Sequence, residues 1–123
     1  VLKLTGSNNL IIISSDAVTC TGAWENKPTF SRFGSVFVGK KGSKIKFEFT
    51  GTRLAVSTSS KFGSNYQVNI DGKKVDSIKV KKLNKEYGIT YLSQKLNNQK
   101  HAVEVVCNGE ANFDSFAYFT DKD

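Results

Sequence analysis

A chain of 123 residues with 38% hydrophobic and 24% charged residues has the size and composition of one globular domain. Its longest apolar run, at 10–13, falls far short of the roughly 20 residues that a membrane helix needs, so we expect no membrane insertion. The formal charge of +7 comes mostly from lysine, with Arg32 and Arg53 the only arginines, which disfavours nucleic-acid recognition through arginine forks.

Taken in chain order, the predicted elements are strands at 10–14, 33–38, 44–49, 53–57, 66–70, 73–80, 88–92, 101–107 and 112–119. Segment 44–49 reads Lys-Ile-Lys-Phe-Glu-Phe, an alternation typical of a strand with one buried face. Asp71-Gly72 lies between two alternating runs and predicts a hairpin turn, because a type I′ turn needs positive φ at both central residues. Short strands at this spacing indicate an all-β sandwich or barrel.

The lysines are scattered over the predicted strands, mainly at positions 40–46 and 73–82. One interpretation is a solvated β surface, on which lysines keep sheet edges from pairing with other chains. The other is a face that binds a polyanion.

Cys20 and Cys107 lie near opposite ends of the chain, and two interpretations stay open. A disulfide between them would close a long loop, which the chain-entropy model values at about 4–5 kcal/mol. In the alternative, both are reduced and act as small hydrophobes. Only His101 could join them at a zinc ion, so we expect no metal and no cofactor.

The sequence carries no recognisable catalytic set, and we expect no enzymatic activity. His101 is the only histidine and is interpreted as a packing residue at the start of a strand. No Gly-x-Ser-x-Gly elbow and no His-Glu-x-x-His motif occur. Paired carboxylates could hydrolyse a glycoside, but nothing in the sequence singles out a pair.

The middle of the chain resembles the galactose-binding-like jelly-roll domains. The residues that carry the resemblance are a glycine-led strand at 42–49, the Gly51-Thr52 corner, Val-Asn-Ile-Asp-Gly at 68–72 and His-Ala-Val-Glu-Val at 101–105. The resemblance covers about 24–119 and implies a two-sheet antiparallel jelly roll. Such domains occur in carbohydrate-binding modules, in front of some esterases, and in phage tail or baseplate proteins.

A sugar site needs exposed aromatic rings beside hydrogen-bonding side chains. The residues that offer these groups are Trp24, Phe62 and Asn65 in predicted loops, together with Arg32, Tyr66 and Tyr91. We predict that they line a glycan site at one end or face of the sandwich. The phenylalanines at 47, 49, 113 and 116 are assigned to the core.

We therefore interpret residues 1–123 as a single β-sandwich domain, a fragment or module of a larger protein. The leading function is a non-catalytic carbohydrate-binding or adhesion module that recognises glycans or cell-surface polysaccharides. The alternatives are a structural domain of a phage tail or baseplate, in contact with other subunits of an assembly, and a polyanion-binding domain. The carbohydrate-binding role and the phage role both place the protein outside the cell, at a cell surface or in a virion.

Overall fold

A computed structural model describes residues 10–11, 13, 15–29, 31, 34–80 and 87–120 of the chain. These residues form eleven β-strands and no helix, so the all-β prediction is confirmed. The strands are β1 (Leu10–Ile11), β2 (Thr19–Thr21), β3 (Trp24–Pro28), β4 (Ser35–Gly39), β5 (Lys44–Gly51), β6 (Arg53–Ser59), β7 (Ser64–Ile70), β8 (Lys73–Val80), β9 (Tyr87–Leu92), β10 (Gln99–Phe113) and β11 (Ser115–Phe119). Within the described ranges, no helix could span a membrane.

The strands form two antiparallel sheets that pack face to face. The four-stranded sheet has the order β1-β11-β6-β9. In the seven-stranded sheet the long strand β10 pairs with β5 and then β4 along one side and with β7 along the other, while β2, β3 and β8 lie outside β5, β4 and β7. This is the predicted antiparallel sandwich.

Alternation along the strands places the core between the sheets. On β5 the side chains of Ile45, Phe47 and Phe49 are buried, whereas Lys46 and Glu48 between them are exposed. The Phe47 ring packs on Phe116 of the opposite sheet with 4.6 Å between ring centroids. All four phenylalanines that the sequence assigned to the core are buried there.

Two turns follow from backbone constraints. Asp71 and Gly72 have φ of 54° and 82°, and they connect β7 to β8 as the predicted hairpin. At the corner between β5 and β6, the Thr52 N–H donates to the Phe119 carbonyl at 2.7 Å. A Cβ on Gly51 would overlap that same carbonyl oxygen, so only glycine lets the two sheets approach here.

Two of the edge strands are the main difference from the sequence-based prediction. Strands β2 and β3 were not predicted, because β2 is exposed at all three residues and β3 is mostly exposed, which leaves no alternation to detect. Strand β10 also continues past Cys107, through an irregular pairing between Cys107 and Ala111, where the sequence predicted a break between strands 101–107 and 112–119.

The cysteines are free thiols, so the disulfide that the sequence left open is not formed. Cys20 is exposed on edge strand β2, and Cys107 is buried in the core. Burial raises the pKa of the Cys107 thiol to about 12, which keeps it protonated near neutral pH. Cys107 is thus a small core hydrophobe, as in the second interpretation.

Candidate functional site

Two of the predicted site residues belong to the core instead. The Tyr66 side chain is fully buried on β7, its ring packs edge-on against Phe113 at 5.0 Å, and its hydroxyl shares a 2.8 Å hydrogen bond with the Thr90 hydroxyl. Burial raises the Tyr66 pKa well above its usual range. Tyr91 is also buried in the core. Both assignments to a sugar site are corrected, because neither ring has a face open to a ligand.

Three of the remaining four predicted residues belong to the part of the chain that the structure describes. Arg32 lies outside the described residues. Trp24, Phe62 and Asn65 are all half-buried, and each lies near one end of the seven-stranded sheet, where β10 pairs with β4 and β7. Their part in ligand binding stays a prediction.

The indole of Trp24 is held in a fixed position on β3. Its Nε1–H donates to the Thr21 carbonyl at 2.9 Å, and its ring is tilted against Phe113 with 5.9 Å between centroids. The ring lies directly over Gly39, where an added Cβ would come within 2.7 Å of it. Glycine at position 39 therefore makes room for the indole, and the ring cannot turn away without losing its hydrogen bond.

Trp24 lines a cleft of about 610 Å³, here called the end cleft. Its walls carry both signs of charge on Glu25, Lys27, Lys40, Lys41 and Glu110, and its remaining lining residues are Gly22, Ala23, Val38 and Gly39. Within it the Lys27 ammonium lies 3.4 Å from the Glu25 carboxylate. An aromatic ring beside carboxylates and ammonium groups supplies both a stacking surface and hydrogen-bonding partners.

Glu110 joins the end cleft to the loop that carries Phe62. Its carboxylate accepts a hydrogen bond from the Gly63 N–H at 3.0 Å. The Asn65 side chain lies over Gly109, the residue before Glu110, and a Cβ added there would lie 2.7 Å from the Asn65 amide nitrogen. Glu110 therefore links the end cleft to the loop of Phe62, and its neighbour Gly109 lies against Asn65.

The loop itself is fixed from beneath by Asn112, which is fully buried. The Asn112 Oδ1 accepts the Ser59 N–H at 2.6 Å, while its Nδ2 donates to the Ser59 carbonyl at 2.8 Å and to the Gly63 carbonyl at 3.0 Å. A single amide therefore satisfies backbone groups at both ends of the loop and determines where Phe62 lies.

Glu110 and Asn112 were not predicted as site residues. Their positions depend on the irregular pairing of β10 between Cys107 and Ala111. The dipeptide Asn108-Gly109 was the available signal, since a glycine inside a strand marks a bulge or a close backbone approach as well as a turn.

The single histidine of the chain does not line the end cleft. His101 lies on another part of β10, 3% exposed, with its two ring nitrogens 2.7 Å from an Asp71 carboxylate oxygen and 2.8 Å from the Asn97 carbonyl oxygen. Neither nitrogen is available to a substrate. In the same described ranges, no three His, Cys, Asp or Glu side chains group closely enough to hold a metal ion.

Comparison with known families identifies the domain. The model of the carbohydrate esterase 2 N-terminal family matches residues 29–121. The chain belongs to this family. No sequence among curated proteins matches it.

Solved structures show that carbohydrate esterase 2 N-terminal domains share the jelly-roll fold with sugar-binding modules. A family 35 carbohydrate binding module from an environmental isolate superposes with a TM-score of 0.67 at 12% identity, over 87% of this chain and 89% of that one. A two-domain esterase active on acetylated mannans, co-crystallized with mannopentaose, gives 0.63 at 18% identity over 93% of this chain and 36% of that one. A family two carbohydrate esterase from Cellvibrio japonicus gives 0.61 at 18% identity, over 89% and 32%. The chain spans about a third of the length of each esterase.

Proposed function

We propose that this domain is a non-catalytic carbohydrate-binding module that holds a polysaccharide for a linked esterase. Membership of the carbohydrate esterase 2 N-terminal family supports the association with an esterase. The fold shared with a carbohydrate binding module supports a binding role. The single observation that carries the site is the indole of Trp24, fixed in a cleft lined by carboxylates and ammonium groups.

The chemistry of the end cleft suits a sugar. The C–H face of a pyranose ring packs on an indole, and its hydroxyls need donors and acceptors around the rim. The half-buried indole does not rearrange on binding, because Thr21 and Gly39 already hold it. A preorganised ring avoids the entropy cost of ordering a mobile side chain.

Isothermal titration calorimetry with mannan and cello-oligosaccharides tests this role, using Trp24→Ala and Phe62→Ala. We expect Trp24→Ala to lower the affinity by about tenfold or more, since aromatic anchors dominate binding energies. Phe62→Ala should weaken binding less, because its ring belongs to the neighbouring loop.

The matched control is Leu92→Ala, which removes an apolar side chain that is 40% exposed on the four-stranded sheet. It should bind like the wild type. Trp24→Phe keeps an aromatic ring and should retain part of the affinity, which separates loss of stacking from loss of folding. A folded Trp24→Ala variant with unchanged affinity would show that the end cleft is not the site.

The proposed role places the domain outside the cell or at its surface, where polysaccharides are met. Roles in a phage tail or baseplate, and in binding polyanions, stay predictions from the sequence.

A further inference from the structure

The seven-stranded sheet carries a second concavity on the face that points away from the core. This groove, of about 960 Å³, lies over β5, β10 and β7 and is here called the sheet groove. Its floor is the exposed side chain of Ala102, which pairs with Glu48 on β5 and meets the Asp71-Gly72 turn on its other side. A small residue between longer neighbours creates the depression.

One wall of the sheet groove is a hydrogen-bonded network that spans three strands. Glu104 of β10 accepts the Asn69 amide N–H at 3.1 Å on one carboxylate oxygen. Its other oxygen lies 3.4 Å from the Lys46 ammonium and 3.9 Å from that of Lys44. Gln67 donates in turn to the Asn69 Oδ1 at 3.0 Å. Each side chain restrains the next, so the wall is ordered before any ligand arrives.

The opposite wall pairs Lys100 with Glu48 at 3.4 Å, and the rim includes Tyr118, whose half-buried ring packs against Phe49 at 5.8 Å. The lysines of the sheet groove therefore each face a carboxylate. A polyanion would have to displace these internal partners, whereas an uncharged ligand rich in hydroxyls can add donors and acceptors to groups already in place.

We propose that the sheet groove is a second carbohydrate-binding site that takes an uncharged oligosaccharide segment. A peptide cannot insert as a strand between β5, β10 and β7, because these strands already hydrogen-bond to one another beneath the groove. Its volume lies at the upper end of the range for small-ligand sites, which favours several sugar units over one. The site uses none of the end-cleft residues, so it does not depend on the function proposed for Trp24.

The experiment maps binding of mannopentaose and cellohexaose by backbone amide chemical shifts, with calorimetry on variants. Ala102→Arg is the blocking variant, because position 102 is exposed and a long side chain fills the floor without touching the core. Glu104→Gln removes the charge that holds Lys44, Lys46 and Asn69. The matched control is Lys79→Ala, which removes an exposed charge on β8 outside the groove.

We expect sugar-dependent shifts at Lys46, Asn69, Ala102 and Glu104, and an affinity reduced by about tenfold or more in Ala102→Arg. Trp24→Ala should leave these groove shifts in place, and Lys79→Ala should change nothing. Binding should vary little with salt, since the ligand is neutral.

Three outcomes would overturn the proposal. One is the absence of groove shifts at millimolar sugar, and another is unchanged groove shifts in a folded Ala102→Arg variant. The third is binding of acidic glycans alone with a steep salt dependence. Because Trp24→Ala and Ala102→Arg act on separate amides, failure of the end cleft and failure of the sheet groove are distinguishable.

Discussion

The charge of His101 is determined by its two partners. The Asn97 carbonyl can only accept, so Nε2 carries a proton, and the Asp71 carboxylate draws a second proton onto Nδ1. Burial works against the charged ring, but the hydrogen bonds to Asp71 and Asn97 outweigh it and raise the His101 pKa above its ordinary value of 6.5. The hydrogen bond from His101, aided by the Ala102 N–H, lowers the Asp71 pKa. Each partner thus favours the charged form of the other, an imidazolium beside a carboxylate.

This pair predicts a pH-dependent stability. Because the folded pKa of His101 is raised, its stabilisation is complete below pH 6.5 and is lost as the pH rises through the folded value. The lowered pKa of Asp71 acts oppositely, and its stabilisation is lost only in acid, below the ordinary carboxyl value of 3.8. Urea unfolding of the wild type should therefore show a free energy that falls as the pH rises above 6.5.

The comparison for this prediction is His101→Gln, which removes the titrating ring. Its free energy of unfolding should lack the decline with rising pH, and Asp71→Asn should behave similarly. Parallel pH profiles for wild type and both variants would contradict the assignment.

The alternation of inward and outward side chains along a strand determines which single residues can be assigned from the sequence. Tyr66 shares its phase on β7 with Val68 and Ile70, and all three are buried, so alternation alone would have placed the ring in the core. The neighbouring loop composition led to the sugar-site assignment instead. For Glu110 the one signal was the Asn108-Gly109 dipeptide, because its position depends on an irregularity in β10 that strand alternation does not specify.

Among the elements, strands with an alternating sequence pattern were predictable, whereas the edge strands β2 and β3 were not. Strands β5, β7 and β8 follow from alternation and the Asp71-Gly72 turn. Strand β3 has exposed residues on both faces, so Trp24 was assigned to a loop although it lies in a strand. The end cleft could not be assembled from sequence, because it combines β3 and β4 with a distant part of β10.

The corner between β5 and β6 gives a prediction at this scale. Gly51→Ala places a Cβ against the Phe119 carbonyl oxygen. Overpacking usually costs about 1–3 kcal/mol. We expect this variant to be destabilised by more than that, because a backbone carbonyl cannot move aside as a flexible side chain can. Thermal unfolding measures the loss.

Gly42→Ala is the matched control for the corner. Gly42 has φ of 89° but nothing within 4 Å of an added Cβ, so alanine there should cost about 1 kcal/mol from backbone conformation alone. Equal losses in the two variants would show that the corner carries no steric constraint.

At the scale of the whole molecule, the two thiols report on folding. Cys20 is exposed at a sheet edge, whereas Cys107 lies between the sheets with a raised pKa. A thiol reagent should modify one cysteine in the native protein and both in denaturant. Cys107 should react far more slowly than Cys20 in the native protein, because it becomes accessible only when the sheets around it open. Modification of neither thiol in denaturant would mean that the two are bonded.

Strand β10 has a consequence for how long a ligand must be. Ala102 and Glu110 lie eight residues apart on this one strand, which corresponds to about 26 Å of extended backbone. The length of β10 between these residues therefore sets the separation of the two proposed sites, the sheet groove and the end cleft. An oligosaccharide shorter than this span occupies one site at a time, whereas a longer polymer can engage both, and the second contact then benefits from a high effective concentration. Polymer length, in addition to sugar identity, would set how tightly the domain holds its ligand.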